Sequence, residues 1–328
     1  MGQSEGENGS ASAIVADELR AAVEAETLVQ ELAAPLDHLF DSRGKQLRAA
    51  LVRAAAGTGP RGSAAAVRDG EIAVELLHLG TLAHDDVVDD GRLRRGSETV
   101  GVAYGNRASA FAGGVLLASA AAMMAPHGAE AGDAFAEAVT AICEGEMAEI
   151  EDLFNADRPL ERYFEAISGK TAAGFAFAGW IGSWLAGADA AAAATTMRFG
   201  QEMGMAFQVL DDVLDLRSPA AETGKQRGKD LQQGVYTLPV IYASIDDPHL
   251  KRKLGRPIGE RELEPLVQRA IAAGGVEKAT EDCWAFAEKA RAAIADAPDA
   301  ARLPLLELLE AALRPLGQAA PVSGVSHA

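Results

Sequence analysis

The sequence predicts an all-α protein, a large bundle of helices, and three observations support this fold class. Long segments are rich in alanine, the strongest helix former. Apolar positions recur with the spacing of three to four residues that is typical of helices, and the sequence lacks the alternation of half-buried strands. Aromatic residues make up only 5% of the 328 residues, whereas apolar residues make up 48%, which is enough for a sizeable core.

The predicted helices follow one another along the whole chain. Glycine and proline separate them, as at Gly57, Pro126 and Gly187, and a further break is expected near Pro35. The helices are expected to span residues 13–33, 45–57, 64–90, 104–125, 129–154, 159–187, 188–216, 237–246, 260–274, 276–296 and 301–314. Because nothing in the composition marks an internal boundary, we expect one catalytic domain over residues 13–317, with disordered tails at 1–12 and 318–328.

The composition argues against several classes of function. The formal net charge of −18 disfavours a nucleic-acid or anionic-membrane partner, since both need a basic surface. Two cysteines, Cys143 and Cys283, are too few for a disulfide framework or a metal cluster. The polar start lacks the apolar core of a signal peptide. The uncharged stretches 108–126 and 171–188 consist largely of small residues, so we expect buried helices, a cytoplasmic protein and no stable membrane insertion.

An apolar run that begins near Leu76 ends in a cluster of acidic side chains. Asp85, Asp86 and Asp89 have the spacing i, i+1 and i+4, which places them within about one third of the circumference of a helix. Carboxylates so close together repel one another, so the cluster is expected to accompany cations. Hard oxygen ligands suit Mg²⁺, which binds phosphate oxygens beside one or two carboxylates. The alternative is a solvated acidic helix end.

The same spacing recurs at Asp211, Asp212 and Asp215, again at the end of an apolar helical run. One such pattern arises easily by chance in a chain with 48 acidic residues, but two in the same context do not. Two triads that face each other would frame a site for several metal ions and a diphosphate.

Basic side chains gather near turns close to the first triad. Lys45 and Arg48 lie at the start of a predicted helix, where cations oppose the helix dipole and an anionic ligand would explain them. His78 lies two turns before the triad on the same face. Arg94 and Arg95 follow the triad, and each guanidinium can bind phosphate with two hydrogen bonds. An exposed basic pair and a satisfied core histidine are the alternatives.

Two later segments carry further basic groups. Gly169 interrupts a helical pattern, and a kink there would aim Lys170 and Thr171 into a cavity. This segment is not a P-loop, because the glycine-rich run and the preceding strand of that motif are absent from the sequence. The glycines and lysines of residues 223–239, including Lys225, suit a mobile flap over an anionic ligand, with a solvated loop as the alternative.

In combination, these motifs resemble those of the trans-isoprenyl diphosphate synthases, also called polyprenyl synthetases, from about Leu28 to Pro315. The matches in chain order are Gly44-Lys45-x-x-Arg48, Asp85-Asp86-x-x-Asp89 with Arg94-Arg95-Gly96, Lys170-Thr171, Phe207-Gln208 before Asp211-Asp212-x-x-Asp215, Gly224-Lys225 and Thr237-Leu238-Pro239. The resemblance implies a helical bundle around a deep central cavity, usually a homodimer. It also implies a reaction in which isopentenyl diphosphate elongates an allylic diphosphate.

The resemblance further implies a role for each matched residue. The six aspartates of the two triads would bind Mg²⁺, three ions per active site, or Mn²⁺ in its place. Substrate contacts would come from Lys45, Arg48, His78, Arg94, Arg95 and Phe207, and catalytic groups would be Lys170, Thr171, Gln208 and Lys225.

The chain departs from the family pattern at two positions. Gly114 stands where the family commonly has an aspartate, and Val235 stands where many members have a lysine, but neither position belongs to the metal ligands. Two alternatives remain open. A class I terpene cyclase would carry a different second metal motif at Asp211, and a non-catalytic subunit of a heteromeric synthase should have lost one triad.

Product length is expected to depend on the residues just before the first triad. In this family a bulky aromatic four or five residues before the first aspartate closes the cavity early, and here those positions are Thr81 and Gly80. Leu77 is the next sizeable side chain back along the helix. The sequence therefore predicts geranylgeranyl diphosphate or a longer product, with the longer one favoured, unless an aromatic such as Phe111 or Phe175 blocks the tunnel.

Overall fold

The computed structural model describes residues 18–23, 30–41, 44–60, 63–94, 96–217 and 227–318, which are mostly helical. The helices are α1 (Ala33–Asp41), α2 (Leu47–Ala55), α3 (Ala64–Val88), α4 (Val100–Tyr104), α5 (Asn106–Met124), α6 (Ala129–Glu151), α7 (Leu160–Ile167), α8 (Ala173–Leu185), α9 (Ala190–Arg217), α10 (Lys229–Gln233), α11 (Leu238–Asp246), α12 (Pro248–Lys251), α13 (Glu260–Ala272), α14 (Gly275–Ala293) and α15 (Asp299–Gln318). Short 3₁₀ turns span Gln30–Leu32, Ala56–Thr58 and Ala125–His127. The predicted all-α class is confirmed.

The predicted helices from residue 45 onward match the structure to within a few residues. The predicted helix 13–33 lies partly outside the described residues, and its described part comprises the helical residues 18–23 and the 3₁₀ turn Gln30–Leu32. The predicted tails 1–12 and 318–328 also lie outside the described residues, apart from Gln318 at the end of α15. The predicted helix 104–125 corresponds to α5, and the short helix α4 before it was not predicted. Gly105 separates the two helices with a φ of 89°, which favours glycine. The predicted break near Pro35 is wrong, because α1 begins at Ala33 and Pro35 lies in its first turn. Proline is tolerated there, since the N–H that it lacks would have no partner within the helix.

A two-stranded hairpin follows the first triad, although no strand was predicted. Strand β1 (Leu93–Arg94) pairs antiparallel with β2 (Ser97–Glu98), and Leu93 lies opposite Glu98. Strands of two residues are too short to show an alternating pattern in a sequence. Between them Gly96 adopts a φ of 84°, which glycine allows at no steric cost.

The chain divides into two compact units by its internal contacts. The first comprises Met1–Val139, Phe177–Met197 and Ala297–Leu305, and the second comprises Thr140–Ala176, Arg198–Asp296 and Leu306–Ala328. In the first unit α3 is buried throughout residues 70–77. In the second unit the buried apolar side chains include Tyr163, Phe199 and Met203. The prediction of one domain over residues 13–317 stays a prediction.

Helix α5 of the first unit packs closely on α3 along one face only. A Cβ atom at Gly113 would lie 2.9 Å from the carbonyl oxygen of Gly80, so the backbones of the two helices approach each other closely there.

Among the described residues, Asn106–His127 is long and apolar enough to cross a membrane, and 39% of its most apolar window is buried. Core helices of soluble proteins meet the same criterion. The expectation that 108–126 forms a buried helix is therefore met on one face only, since Phe111 is 68% exposed.

Candidate active site

The first aspartate triad occupies the C-terminal end of α3. Asp86 is buried, Asp85 is half-buried, and Asp89 is the exposed cap residue, whose N–H donates to the carbonyl of Asp85 at 2.8 Å. The negative end of the helix dipole lies here, so carboxylates are disfavoured and cations are favoured. The arrangement therefore concentrates negative charge where the backbone already supplies some.

Arg94, predicted to bind diphosphate, contacts a carboxylate of this triad. Its Nε lies 2.9 Å and 3.1 Å from the two carboxylate oxygens of Asp86, and its Nη2 lies 2.8 Å from Oδ1. The hairpin after α3 brings Arg94 back onto the helix end. This pairing offsets part of the cost of burying Asp86. The neighbouring Arg95 lies outside the described residues.

The basic residues predicted to bind isopentenyl diphosphate lie near the start of α2 or within α3. Lys45 is exposed, and Arg48 and His78 are half-buried. The N–H of Ala49, in the first turn of α2, donates to Oε1 of the buried Glu75 at 3.1 Å. A carboxylate of the chain itself thus satisfies one of the N–H groups that have no partner within the helix at its start.

The residues predicted to control product length lie in a tightly packed part of α3. Leu77 and Gly80 are buried, and Thr81 is half-buried with its hydroxyl donating to the carbonyl of His78 at 2.9 Å. A Cβ atom at Gly80 would lie 3.1 Å from Cγ of Leu117, which is closer than ordinary contact. Leu117 could not be predicted as a neighbour of Gly80 from residue spacing, because it belongs to another helix.

The second triad lies in the last turns of α9, within the second unit. Asp211 is exposed, and Asp212 is only 2% exposed. Asp215 is half-buried, and its buried Oδ2 atom has no hydrogen-bond partner among the residues that the structure describes. Burial, aided by Asp230 and Asp211, raises the pKa of Asp212 to about 7, against opposing hydrogen bonds. Burial and then the charge of Asp230 raise the pKa of Asp215 as well. Both carboxylates would gain from a nearby cation.

A chain of hydrogen bonds leads to Asp212 from two sides. Thr171 donates from Oγ1 to Oε1 of Gln208 at 2.7 Å, and Gln208 donates from Nε2 to Oδ1 of Asp212 at 2.9 Å. Tyr163 donates from its hydroxyl to Oδ2 of Asp212 at 2.5 Å. The structure thus joins two predicted catalytic residues to a predicted metal ligand. Tyr163 was not among the predicted site residues, although it lies two helical turns before Lys170.

The interruption predicted at Gly169 is a π-helical turn, Ser168–Ala172. Such turns are rare and occur often at functional sites. Lys170 within the turn forms an ion pair with Glu149 of α6. Burial lowers the pKa of Lys170, but Glu149 and then Glu146 outweigh this effect, so the pKa lies above its ordinary value and the ammonium stays charged.

One further carboxylate joins this cluster, at the short helix α10. Burial, followed by the charge of Asp211, raises the pKa of Asp230, while Lys170 opposes the rise. Residues 223–239 were predicted to form a flap because of their glycines and lysines, and Asp230 was not among the predicted site residues. No spacing rule connects it with the triad, which ends 15 residues earlier. Lys225 lies outside the described residues.

Phe207, the remaining predicted substrate contact, is half-buried, with its ring centroid 5.6 Å from that of the buried Phe175.

Within the described part of the chain, no three His, Cys, Asp or Glu side chains form a group able to hold a metal ion by themselves. The predicted ligands therefore do not make a preformed protein cage. A cation there would depend on other oxygen atoms, as Mg²⁺ commonly does with water and phosphate.

Comparisons with known proteins agree on one family. A sequence profile described as polyprenyl synthetase matches residues 29–273. The chain is 33% identical over 267 residues to nonaprenyl diphosphate synthase of Mycobacterium tuberculosis, covering 80% of each. It is 36% identical over 236 residues to heptaprenyl diphosphate synthase component 2 of Geobacillus stearothermophilus, covering 72% of this chain and 73% of the relative. The crystal structure of polyprenyl synthase from Caulobacter crescentus CB15, complexed with calcium and isoprenyl diphosphate, matches with a TM-score of 0.85 and 29% identity, over 93% of this chain and 96% of that one.

Proposed function

Since the chain belongs to the polyprenyl synthetase family and is a prenyltransferase, we propose that it builds a long polyprenyl diphosphate from isopentenyl diphosphate and an allylic primer. The family depends on divalent metal ions and uses isoprenyl diphosphates. The observation that carries the proposal is that both aspartate triads are intact and that each ends a long helix. The terpene-cyclase alternative is set aside, because the curated relatives are polyprenyl diphosphate synthases.

We propose Mg²⁺ as the cation, three ions per active site, with Mn²⁺ as a substitute. The ligands would be Asp85, Asp86, Asp89, Asp211, Asp212 and Asp215. The donor set fits, because all are hard oxygen ligands and the unpartnered Oδ2 atom of Asp215 is buried. When bound, such ions withdraw electron density from a diphosphate and make it a better leaving group. The number of ions and the ligand assignment rest on the sequence resemblance.

The residues of the chain would bind and orient the two substrates. Lys45, Arg48 and His78, with Arg95, would hold isopentenyl diphosphate so that its double bond faces the allylic carbon. Arg94, Lys170 and Lys225 would neutralise the allylic diphosphate as its carbon–oxygen bond breaks. Thr171, Gln208 and Phe207 would stabilise the allylic cation. The hydrogen bond from Thr171 to Gln208 supports this role, since it fixes two oxygen atoms in one place.

The product is proposed to exceed the geranylgeranyl length. Gly80 and Thr81 leave no aromatic side chain just before the first triad. A Cβ atom at Gly80 would meet the backbone of Gly113 and the side chain of Leu117, which are not aromatic, and this supports a long product. The relatives named for heptaprenyl and nonaprenyl products support a long chain.

We also propose a cytoplasmic homodimer. Beyond Arg107, the exposed residues of α5 are all apolar or glycine: Ala110, Phe111, Gly114, Ala118, Ala121 and Ala122. An apolar stripe of this kind commonly marks a protein interface, and a second copy of the chain would cover it. Light scattering should give the mass of a dimer, and Phe111→Glu should shift it toward the monomer. A monomeric wild type would refute this proposal.

A second candidate role is that of catalytic subunit in a two-component synthase. The likeness to a relative named component 2 favours it, and both triads argue against the non-catalytic subunit. The two roles differ in whether the pure chain turns over alone. The decisive experiment incubates the purified full chain with isopentenyl diphosphate, farnesyl diphosphate and Mg²⁺, and identifies the products by chain length.

The triads are tested in the same assay with two matched variants. Asp85→Asn should lower turnover by about 10²-fold or more, because stabilisation of the charge that develops on the diphosphate is lost. Asp90→Asn is the control, since Asp90 is an exposed neighbour outside the triad and asparagine tolerates its φ of 53°. Near-normal turnover in Asp85→Asn with an unchanged melting temperature would contradict the metal assignment.

A further inference from the structure

Tyr163 of α7 is a buried tyrosine whose hydroxyl ends on a predicted metal ligand. Its side chain is 1% exposed, and its ring packs edge-on against Phe164 at 5.3 Å between centroids. The guanidinium of Arg158 lies over the same ring, 5.5 Å from the centroid. These contacts hold the phenol in one position, with its hydroxyl 2.5 Å from Oδ2 of Asp212.

Gln208 supplies the matching contact on the other oxygen of the same carboxylate. Its Nε2 donates to Oδ1 of Asp212 at 2.9 Å, while its own carbonyl oxygen accepts from Thr171. An ionised carboxylate can only accept hydrogen bonds, so Asp212 faces the NH₂ end of the Gln208 amide and leaves the amide oxygen for the hydroxyl of Thr171. Each oxygen of Asp212 therefore accepts one bond from a protein donor and keeps further lone-pair capacity.

We propose that Tyr163 is a positioning residue that, together with Gln208, fixes the carboxylate of Asp212 so that its remaining lone pairs point at the divalent cation of the substrate. The proposal rests on the proposed function and deepens it by naming a residue outside the motifs. Groups that hold metal ligands by hydrogen bonds commonly change metal affinity by about 10- to 100-fold when they are removed. The expected loss is therefore larger than that of an ordinary surface hydrogen bond.

The second unit contains a natural control for this hydrogen bond. Tyr242 of α11 donates from its hydroxyl to Oδ2 of Asp282 at 2.5 Å, the same pair of groups at the same distance. Neither residue of this control pair belongs to the proposed active site. If the Tyr163 bond only stabilised the fold, removing either hydroxyl would change stability and leave cation binding unchanged.

The experiment compares Tyr163→Phe with Tyr242→Phe in the full chain. Binding of Mn²⁺ in the presence of inorganic diphosphate is measured by electron paramagnetic resonance, and the Michaelis constant for isopentenyl diphosphate is measured with kcat. Tyr163→Phe should weaken Mn²⁺ binding by about 10- to 100-fold and lower kcat, with that Michaelis constant unchanged. Tyr242→Phe should leave all three unchanged. Wild-type Mn²⁺ affinity in Tyr163→Phe would overturn the proposal.

A double-variant cycle separates positioning from folding. In an Asp212→Asn background, Tyr163→Phe should have no further effect on Mn²⁺ binding, because the hydroxyl acts through that carboxylate. An equal loss in both backgrounds would overturn the positioning role. A wild type that makes no prenyl product would instead refute the proposed function, whereas an active wild type with an unaffected Tyr163→Phe refutes the positioning role alone.

Discussion

Replacing Gly145 by alanine should damage activity through the π-helical turn that carries Lys170. Gly145 lies in α6, and a Cβ atom there would lie 2.1 Å from the backbone nitrogen of Lys170 and 2.6 Å from the carbonyl oxygen of Ala166. Both contacts are with backbone, so one element must move by about 1 Å, a misplacement that can cost about 10²-fold in rate. Overpacking should also cost about 1–3 kcal/mol of unfolding free energy, more than the gain of about 0.5–1 kcal/mol from replacing glycine in a helix.

Gly132 in the same helix provides the control, because a Cβ atom there would meet nothing within 4 Å. Gly132→Ala should raise the melting temperature slightly and leave kcat unchanged, whereas Gly145→Ala should lower both. Steady-state kinetics and calorimetric melting of the two variants measure these effects. If Gly145→Ala melts and turns over like Gly132→Ala, the close approach of α6 to the π turn does not constrain Lys170.

Three further predictions concern substrate binding, product length and thiol reactivity. Arg48→Ala should raise the Michaelis constant for isopentenyl diphosphate more than that for the allylic primer, and equal effects would contradict its assignment. Gly80→Phe should shorten the product and lower the melting temperature, since a side chain there must displace Leu117; an unchanged product distribution would refute the role of this position. Burial raises the pKa of Cys283 to about 12, so a thiol reagent at pH 8 should label the exposed Cys143 and reach Cys283 only after unfolding. Because the folded pKa is raised, the stability that Cys283 contributes is present below its ordinary pKa and is lost as the pH rises toward 12, which melting curves between pH 8 and 11 should show.

Features that depend only on residues close together in the sequence were predictable. The spacing of the aspartates gives their position on a helix face directly, and the glycine at position 169 marks the interruption that proved to be a π turn. The roles of the site residues and the facing arrangement of the triads stay predictions. Short elements such as α10 and the hairpin after α3 were missed, because helices of one turn and strands of two residues have too little pattern to detect.

The contacts that were not predictable join residues far apart in the chain. Tyr163 and Asp212 are separated by 49 positions, and the hydrogen bond between them depends on how α7 packs against α9. Likewise, an alanine-rich composition predicted that α5 is helical but not which face it buries, because alanine is common on both faces of this helix. Spacing therefore identified candidate ligands, whereas the groups that orient them required the structure.

Both triads break the electrostatic rule that governs helix ends. Basic side chains are favoured in the last turn of a helix because the dipole is negative there, yet α3 ends with Asp85, Asp86 and Asp89, and the last turns of α9 carry Asp211, Asp212 and Asp215. A fold selected for stability alone would not place carboxylates at the end of each helix, and it would not bury Asp212 with a raised pKa. Local rules are broken most often where function requires it. The same backbone partial charge that makes each helix end unfavourable for a carboxylate adds to the attraction of that helix end for a cation.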